Sequence, residues 1–439
     1  MLKRKLIVLF ATTISGIFFN NYAEATILNN SYKEVLDHVW QIVYRDFLDS
    51  SGNFEKSNWI EIRKQFLSKK YADSNEAYDA IRDMLSKLND PYTRFLEPKE
   101  FNQMRIDTSG ELTGVGIQIV KDKESDDLII VSPIEGTPAY DAGIKARDKI
   151  LSIDDIPTEG MDLEEAVKLI RGQRGTKVKL QILREKKSFY KILLRDKIEI
   201  KSVTSKTNQT KNGFLIGYLR IKQFNANASK EMRDALKDLE KRNVAGYVLD
   251  LRSNPGGLLE SSIDISRLFI NKGIIVSTLS KDGLKEIKRG NGRALTKKPL
   301  VVLVNEGSAS ASEIVSGAIK DNKRGKLVGK KTFGKGLVQS MRTLVDGSGL
   351  TVTVAKYLTP NGTDINRYGI VPDIEVKMNS NSILQRQIGT RRDNQYRAGE
   401  KELINIIKRK NQIGLFIPKT SNLNSALKNK NENSLYSLN

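Results

Sequence analysis

The chain is organised around two segments near its centre, Asn305-Glu306-Gly307-Ser308-Ala309-Ser310-Ala311-Ser312-Glu313 and Thr332-Phe333-Gly334-Lys335-Gly336-Leu337-Val338-Gln339. The first segment follows an apolar run that predicts a strand, Pro299 to Val304, and precedes one that predicts a helix, Ile314 to Ile319. A turn of small hydroxyl residues at the start of a helix brings a hydroxyl group close to unpaired backbone N–H groups. We therefore interpret the first segment as a place for a nucleophile and an oxyanion.

The choice of base for such a nucleophile is narrowed by composition. The 439-residue chain contains one histidine, His38, and no cysteine, which excludes a cysteine nucleophile and a zinc site with two histidines. His38 lies in an amphipathic helical pattern, where an ordinary surface or core role is the better interpretation. Lysine is then the leading base, and Lys335 lies in the second segment. Burial away from water would lower its pKa from about 10.4 and leave a neutral amine to accept the serine proton.

The overall composition is typical of a soluble globular protein with two or three domains, with 39% hydrophobic and 28% charged residues. The formal net charge of +21 raises the alternative of nucleic-acid binding. However, Lys and Arg are spread along the chain, without a zinc finger, an Arg-rich arm or an aromatic RNA-binding motif. We favour a lysine-rich proteome, or attraction to anionic envelope surfaces, as the origin of the charge.

The N-terminus, Met1 to Ala25, has the three parts of a secretory signal peptide. Lys3-Arg4-Lys5 is the positive region, Leu6 to Phe19 is the apolar run, and Ala23-Glu24-Ala25 is a small-x-small cleavage site. The apolar run is short for a membrane span, which favours cleavage after Ala25 over anchoring. The expected location is the periplasm or cell envelope of a bacterium. The absence of cysteine means that neither a lipoprotein attachment site nor a disulfide is used there.

A compact unit from Thr108 to Arg195 follows a helical N-terminal region. It contains a glycine loop, Gly114-Val115-Gly116-Ile117, several predicted strands, and a capped helix from Leu163 to Ile170. This unit closely resembles a PDZ domain over its whole length. The resemblance implies that the glycine loop binds the C-terminal carboxylate of a peptide, which adds as a strand along Ile117 to Ile119. The peptide would pack against Val167 and Ile170.

The remainder, from Asp196 to Met378, alternates predicted strands and helices, which indicates an α/β core with at least partly parallel strands. Ligands in such sheets bind at the carboxyl ends of strands. Asn254-Pro255-Gly256-Gly257 and Ser308-Ala309-Ser310 both follow predicted strands. The backbone N–H of Ala311 is the natural first oxyanion donor, and the Gly256-Gly257 turn offers a second.

Gln339 follows Lys335 by four residues, so its amide oxygen could hold the lysine if this segment is helical. Because Gly334 and Gly336 flank the lysine, the sequence does not decide whether this segment is a helix or a loop.

The chain resembles the carboxy-terminal processing proteases, also called tail-specific proteases, over nearly its whole mature length. The matching features, besides the signal segment and the PDZ-like unit, are Asp90-Pro91-Tyr92-Thr93, Asn254-Pro255-Gly256-Gly257, Ser308-Ala309-Ser310-Ala311-Ser312-Glu313, Thr332-x-Gly334-Lys335-x₂-Val338-Gln339 and Gly369-Ile370-Val371-Pro372-Asp373. The resemblance implies that Ser310, rather than Ser308 or Ser312, is the nucleophile. It assigns the lysine and glutamine roles to Lys335 and Gln339.

By the same resemblance, Asp321 and Arg252 are candidate supporting residues, for which ordinary salt bridges are at least as good an interpretation. The function implied is an exported serine endopeptidase that recognises the C-terminal region of proteins and hydrolyses peptide bonds through an acyl-enzyme, without a metal or cofactor. Its partners would be substrates with exposed C-termini, with a homodimer, an adaptor protein and peripheral envelope association as further candidates and nucleic acid not expected. A catalytically silent peptide-binding scaffold is the alternative from another class.

The predicted fold is α/β, with a protease core of mixed sheet and flanking helices, an inserted PDZ-like domain and an N-terminal helical region. The predicted boundaries are a signal peptide at 1–25, a helical region at 26–105, a PDZ domain at 106–195, a protease core at 196–378 and a basic helix with a disordered tail at 379–439.

Overall fold

The computed structural model describes residues 32–49, 52, 54–122, 124–378 and 387–416, and the chain divides into two compact units. Unit 1 holds the residues up to 202, together with 225–227 and 338–355. Unit 2 holds residues 203–224, 228–337 and 356 onward. The predicted signal peptide and the polar C-terminal tail lie outside the described residues.

Unit 1 begins with a helical region that has its own aromatic core. Trp40 and Trp59 are buried, and each indole N–H donates to the backbone carbonyl of the other residue, at 2.7 and 3.3 Å. The side chain of Asp73 caps one of the helices by accepting the N–H of Glu76. The elements of this region are α1 (residues 32–46), α2 (Lys56–Ser68), α3 (Ser74–Ser86), β1 (Arg94–Leu96) and α4 (Pro98–Ser109).

The second part of unit 1 is the PDZ fold. Its antiparallel sheet has the strand order β3-β4-β5-β7-β8, with β6 paired to β5, and helix α6 packs against the edge strand β3. A short ribbon of β2 and β9 lies where the chain enters and leaves this fold. The elements are β2 (Glu111–Gly114), β3 (Ile117–Lys121), β4 (Leu128–Pro133), α5 (Pro138–Asp141), β5 (Lys149–Ile153), β6 (Ile156–Pro157), α6 (Leu163–Ile170), β7 (Lys177–Arg184), β8 (Lys187–Leu194) and β9 (Asp196–Glu199).

Unit 2 is built on a six-stranded sheet with the order β10-β11-β12-β15-β16-β19, in which only the β10–β11 pair is antiparallel. Its elements are β10 (Val203–Gln209), β11 (Leu215–Ile221), α7 (Ala228–Lys241), β12 (Gly246–Asp250), α8 (Leu259–Phe269), β13 (Ile274–Ser280), β14 (Lys285–Arg289), β15 (Leu300–Val304), α9 (Ala311–Asp321), β16 (Lys326–Gly329), β19 (Ile374–Glu375) and α10 (Asn394–Phe416). Strands β17 (Leu337–Thr343) and β18 (Gly349–Leu358) pair with each other and lie mostly in unit 1.

The central strands β12 and β15 are buried along their whole length, because helices cover both faces of the sheet. Alternate residues of these strands, such as Val248, Val301 and Leu303, pack against Tyr396 and Leu403 of α10. The predicted mixed α/β fold with partly parallel strands is confirmed. Within the C-terminal region the sequence pattern predicts a helix from Glu400 to Lys410. The observed α10 is longer and belongs to the core of unit 2. Within the described part of the chain, no helix is long and apolar enough to cross a membrane.

Candidate active site

The carboxyl ends of β12 and β15 lie side by side, because the two strands are adjacent and parallel. The turn from Ser253 to Gly257 follows β12, and the serine-rich segment follows β15. Hydrogen bonds join them, among them those from the N–H of Ala309 and from the hydroxyl of Ser312, both to the carbonyl oxygen of Asn254 at 3.0 Å. The tertiary structure therefore assembles the two turns at one edge of the sheet, where ligands of such sheets bind.

Ser310 lies at the sharp turn between β15 and α9, immediately before the first helical residue. Its backbone has φ 54° and ψ −114°, a conformation that side-chain-bearing residues seldom adopt. Strained strand-to-helix turns of this kind present the nucleophilic serine in α/β-hydrolases. Ser310 is also partly exposed rather than buried in the core of unit 2.

The two neighbouring serines have different surroundings. Ser308 and Ser312 are both fully buried. The hydroxyl of Ser308 donates to the carbonyl of Leu251 at 2.8 Å, and that of Ser312 donates to the carbonyl of Asn254. Both hydroxyls therefore bind the serine segment to the residues that follow β12. Backbone strain and exposure single out Ser310.

Glu313 connects the serine segment to the lysine segment. This fully buried side chain accepts four hydrogen bonds. Its Oε2 accepts the backbone N–H groups of Ser310, at 2.9 Å, and of Lys335, at 2.8 Å, so the two nitrogens are at most about 6 Å apart. Its Oε1 accepts the hydroxyl of Thr332, at 2.6 Å, and the N–H of Gly334, at 2.7 Å.

Sequence reasoning gave Glu313 no role, although a signal was present. Ser310-x-x-Glu313 at the start of a helix has the spacing of a capping box, in which the glutamate accepts the N–H of the serine. That motif predicts the bond to Ser310. It does not predict the three bonds to a segment about twenty residues further on.

Lys335 is in a loop, which answers the question that the sequence left open. Residues 331–336 have no regular secondary structure, and β17 begins at Leu337. The loop is held by Glu313 and by the segment around Ile370, whose carbonyl accepts the N–H of Thr332 at 3.1 Å. Gln339 lies in β17, on the part of the chain that belongs to unit 1, where its Nε2 donates to Oγ1 of Thr353 at 3.4 Å.

The candidate oxyanion donors meet beside Ser310. Ala311 is the first residue of α9, so its N–H points out of the helix start. Gly256 packs directly on this turn, and a Cβ atom there would lie 2.9 Å from Cβ of Ser310 and 3.0 Å from the nitrogen of Ala311. The N–H of Gly256 donates to Oδ1 of Asn254 at 2.9 Å, so it can bind an oxyanion only if that bond is shared or broken. Gly257 pairs with Phe224 at an isolated bridge and has φ 141°.

Tyr357 is a second residue that sequence reasoning missed. This buried tyrosine donates its hydroxyl to the carbonyl oxygen of Ser310 at 3.2 Å, and its N–H donates to the carbonyl of Gly336 at 2.9 Å. It therefore contacts both segments through backbone carbonyl groups, whereas Glu313 accepts hydrogen bonds from their N–H groups. No local pattern marks it, because a tyrosine in a strand is usually a packing residue.

The two candidate supporting residues have different positions. Arg252 is buried at the end of β12 and pairs with Asp250 and with Asp393. Asp321 ends α9, which has 11 residues, and is therefore about 15 Å from the Ser310 end of the helix. Its Oδ2 accepts the N–H of Asn361 at 3.0 Å. The structure places Arg252 next to the site and Asp321 away from it.

The PDZ groove lies between β3 and α6. Strand β3 is an edge strand, which leaves one side for an added peptide strand. Gly116 has φ 80°, and a Cβ atom there would overlap the side chain of Thr137, so the loop requires glycine. Ile117, Ile119 and Val167 are partly exposed, and Ile170 is buried. The remaining loop residues, Gly114 and Val115, are buried, and Val115 belongs to the PDZ core.

Comparisons with known proteins agree with this architecture. The model of peptidase family S41 matches residues 215–376, and a PDZ domain model matches residues 129–184. A carboxyl-terminal-processing protease of Synechocystis sp. is 43% identical over 359 residues, which cover 81% of this chain and 83% of the relative. The chain belongs to the carboxyl-terminal-processing proteases of peptidase family S41. This S41 chain is therefore a serine peptidase with a PDZ domain.

Two further similar proteins are also named as C-terminal processing proteases. The carboxy-terminal processing protease CtpA of Bacillus subtilis is 38% identical to this S41 peptidase over 332 residues, covering 74% of this chain and 70% of the relative. The solved structure of a photosystem II D1 C-terminal processing protease is 37% identical, covers 79% of this chain and 93% of that one, and has a TM-score of 0.51. Within the described residues, no group of three or more acidic or histidine side chains is arranged to hold a metal ion.

Proposed function

We propose that this peptidase is an exported serine endopeptidase in which Ser310 is the nucleophile and Lys335 is the general base. The observation that carries this proposal is the shared carboxylate of Glu313, which binds the backbone of both residues. Because the two N–H groups share one buried oxygen, the serine and lysine segments have a fixed separation. Only one serine of the segment combines this position with exposure and a strained backbone.

In the proposed reaction, the neutral amine of Lys335 accepts the proton of the Ser310 hydroxyl as the hydroxyl oxygen attacks the scissile carbonyl carbon. The N–H of Ala311 stabilises the resulting oxyanion, and Gly257 or Gly256 supplies the second donor. The lysine then returns the proton to the leaving amine, and an acyl-enzyme on Ser310 remains. Water hydrolyses this ester with Lys335 again acting as the base. By family resemblance, Gln339 is the residue proposed to orient the lysine.

The PDZ domain would select the substrate. A peptide with a free C-terminal carboxylate would bind its carboxylate to the N–H groups of the loop from Gly114 to Ile117 and extend β3 by one strand. Ile117, Ile119, Val167 and Ile170 would contact its apolar side chains. The class of substrate that these groups would select is therefore a protein with an exposed apolar C-terminal tail.

Export to the periplasm or cell envelope is proposed from the signal pattern of Met1 to Ala25. Edman or mass-spectrometric analysis of the protein made in its own cells should find a mature N-terminus after Ala25. An intact Met1 in a cytoplasmic fraction would contradict the proposal.

The catalytic assignment is tested with a purified protein substrate that ends in an apolar C-terminal tail, with products identified by mass spectrometry. Ser310→Ala and Lys335→Ala should each lower kcat by at least about 1,000-fold while the melting temperature stays near that of the parent. Ser316→Ala, a buried serine later in the same helix, and Lys331→Ala, an exposed lysine in the same loop, are the matched controls. Substantial turnover by either site variant would refute its assigned role.

Peptide recognition is tested separately on the Ser310→Ala protein, which binds without turnover. Calorimetry should detect binding of a tail peptide with a free carboxylate and at least about tenfold weaker binding of the same peptide with a C-terminal amide. Equal affinity of the two peptides would show that the glycine loop does not receive the carboxylate.

A further inference from the structure

The start of helix α10 is joined to the end of β12 by a buried ion cluster. Arg252 is 4% exposed, and the Asp250 and Asp393 side chains are fully buried. The guanidinium donates from Nη2 to Oδ2 of Asp393 at 2.6 Å and from Nη1 to Oδ1 at 3.0 Å, a bidentate pair. Its Nη1 also donates to Oε1 of Gln395 at 3.1 Å, and its Nε donates to Asp250 at 2.9 Å.

Each charged group in this cluster is stabilised by an opposite charge and by hydrogen bonds. Burial alone would raise the pKa of Asp393, but the hydrogen bonds and charge of Arg252, with the N–H groups of Tyr396 and Gly389, hold it below its ordinary value. The hydroxyl of Tyr218 donates to Asp250 at 2.7 Å on the other side of the guanidinium. The cluster is thus a fully bonded network, in which each donor of Arg252 has a defined direction.

Arg252 stands at the point where β12 turns into the candidate oxyanion loop. The next residue, Ser253, has φ 55°, and its N–H donates to Oδ1 of Asn305 at 2.8 Å. Asn254 then binds the serine segment through its carbonyl oxygen, and Gly256 lies against Ser310 and Ala311. A shift of Arg252 would therefore move the turn that packs on the nucleophile.

We propose that Asp393, assisted by Gln395, is a positioning residue for catalysis, acting through Arg252 on the turn beside Ser310. This inference rests on the proposed function of Ser310. Asp393 lies beyond residues 215–376, the part that matches the peptidase family, and 141 positions from Arg252 in the chain. The side chains of Asp393 and Gln395, at the start of α10, are accordingly part of the framework that positions the turn beside Ser310.

The chemistry of Asp393 allows its two roles to be separated. Its Oδ1 accepts the N–H of Tyr396, so it also caps the start of α10. Asparagine caps helices as well as aspartate does. In Asp393→Asn, however, an NH₂ group replaces one carboxylate oxygen, so that N–H donors of the asparagine face N–H donors of Arg252. The negative charge of the side chain is also lost. This variant keeps the cap and breaks the bidentate pair.

The test compares full-length parent, Asp393→Asn and Gln395→Met on a fluorogenic tail peptide, with melting temperature measured for each protein. Asp393→Asn should lower kcat by about tenfold to a hundredfold and change KM by less than about twofold, and Gln395→Met should lower kcat by a few-fold. A reversible peptide aldehyde, which forms a hemiacetal with Ser310 and needs the oxyanion donors, should lose affinity by the same factor as kcat/KM. The affinity of the uncleaved product peptide should not change.

Tyr396→Phe is the matched control, because it removes the hydroxyl that binds Asn208 at 2.7 Å in the same helical turn without touching Arg252. It should lower the melting temperature and leave kcat intact. If Asp393→Asn does not fold, Gln395→Met and Asp393→Glu decide the question through the same aldehyde-affinity measurement. Unchanged kcat and aldehyde affinity in folded variants, or an equal loss in Tyr396→Phe, would overturn the inference. A parent protein without peptidase activity would instead contradict the proposed function itself.

Discussion

The two ends of helix α9 both carry a carboxylate, and the comparison shows what makes one of them part of the candidate site. At the first end, Glu313 is fully buried and accepts four hydrogen bonds from two different chain segments. At the last end, Asp321 is partly exposed and accepts the N–H of Asn361. The two carboxylates differ in what they connect, since Glu313 bonds both candidate catalytic segments and Asp321 bonds neither of them in the described structure. The four following variants test this contrast between the two ends.

Glu313→Gln should have the largest effect among these four variants. A glutamine has only one acceptor oxygen, so its NH₂ group must face either the N–H groups of Ser310 and Lys335 or the hydroxyl of Thr332 and the N–H of Gly334. We expect kcat to fall by about a hundredfold as the serine and lysine segments separate, with a lower melting temperature.

The matched control for Glu313→Gln is Glu306→Gln, an exposed glutamate of the same segment that pairs with Lys330 at 3.7 Å. It should retain full activity in the peptide assay. If Glu313→Gln kept more than half of the parent kcat, the shared carboxylate would not be what holds the two segments together.

Gly256→Ala should have the next largest effect, because the added methyl group would press on the Ser310 end of helix α9 from the neighbouring turn. The new Cβ atom would lie 2.8 Å from the carbonyl oxygen of Ala309 and 2.9 Å from Cβ of Ser310, at a residue with φ 108°. We expect kcat to fall by at least about tenfold. Gly292→Ala, which has φ 81° but open space around it, controls for backbone strain alone. Similar rates for both variants would show that close packing on Ser310 is not required.

Tyr357→Phe should have a smaller effect, because it removes one hydrogen bond and leaves the packing in place. The lost bond joins the tyrosine hydroxyl to the carbonyl of Ser310 at 3.2 Å. We expect kcat to fall by a few-fold, which corresponds to the net free energy of about one neutral hydrogen bond, and we expect KM to stay unchanged. A loss as large as that of Glu313→Gln would mean that the strain at Ser310 is maintained from the tyrosine side.

Asp321→Asn should have the smallest effect. The asparagine oxygen can still accept the N–H of Asn361, and the position is about 15 Å along the helix from Ser310. We expect kcat within about twofold of the parent and a change in unfolding free energy within about 0.5 kcal/mol. A strong loss of activity here would remove the contrast between the two ends and restore the role that family resemblance suggested for Asp321.

Much of the fold was predictable because its signals are local. The apolar run Pro299 to Val304 and the run Ile314 to Ile319 became β15 and α9 with shifts of a few residues at their ends. The PDZ fold was recognisable from its ordered strands and capped helix, and the α/β core from its alternating pattern. The true length of α10 was not predictable, since its first turn is held by the cap at Asp393 and by packing on β12 and β15 rather than by helix propensity.

The sequence by itself determined which chemical groups are excluded. With no cysteine and one histidine, composition excluded a cysteine nucleophile and made lysine the leading candidate base, while family resemblance pointed to Ser310 and Lys335. Tertiary structure alone decided how these groups are held. The strain at Ser310, the shared oxygen of Glu313 and the pairing of Arg252 with Asp393 each depend on bringing distant or differently oriented segments together. Local periodicity cannot encode such contacts, because they depend on the path of the whole chain.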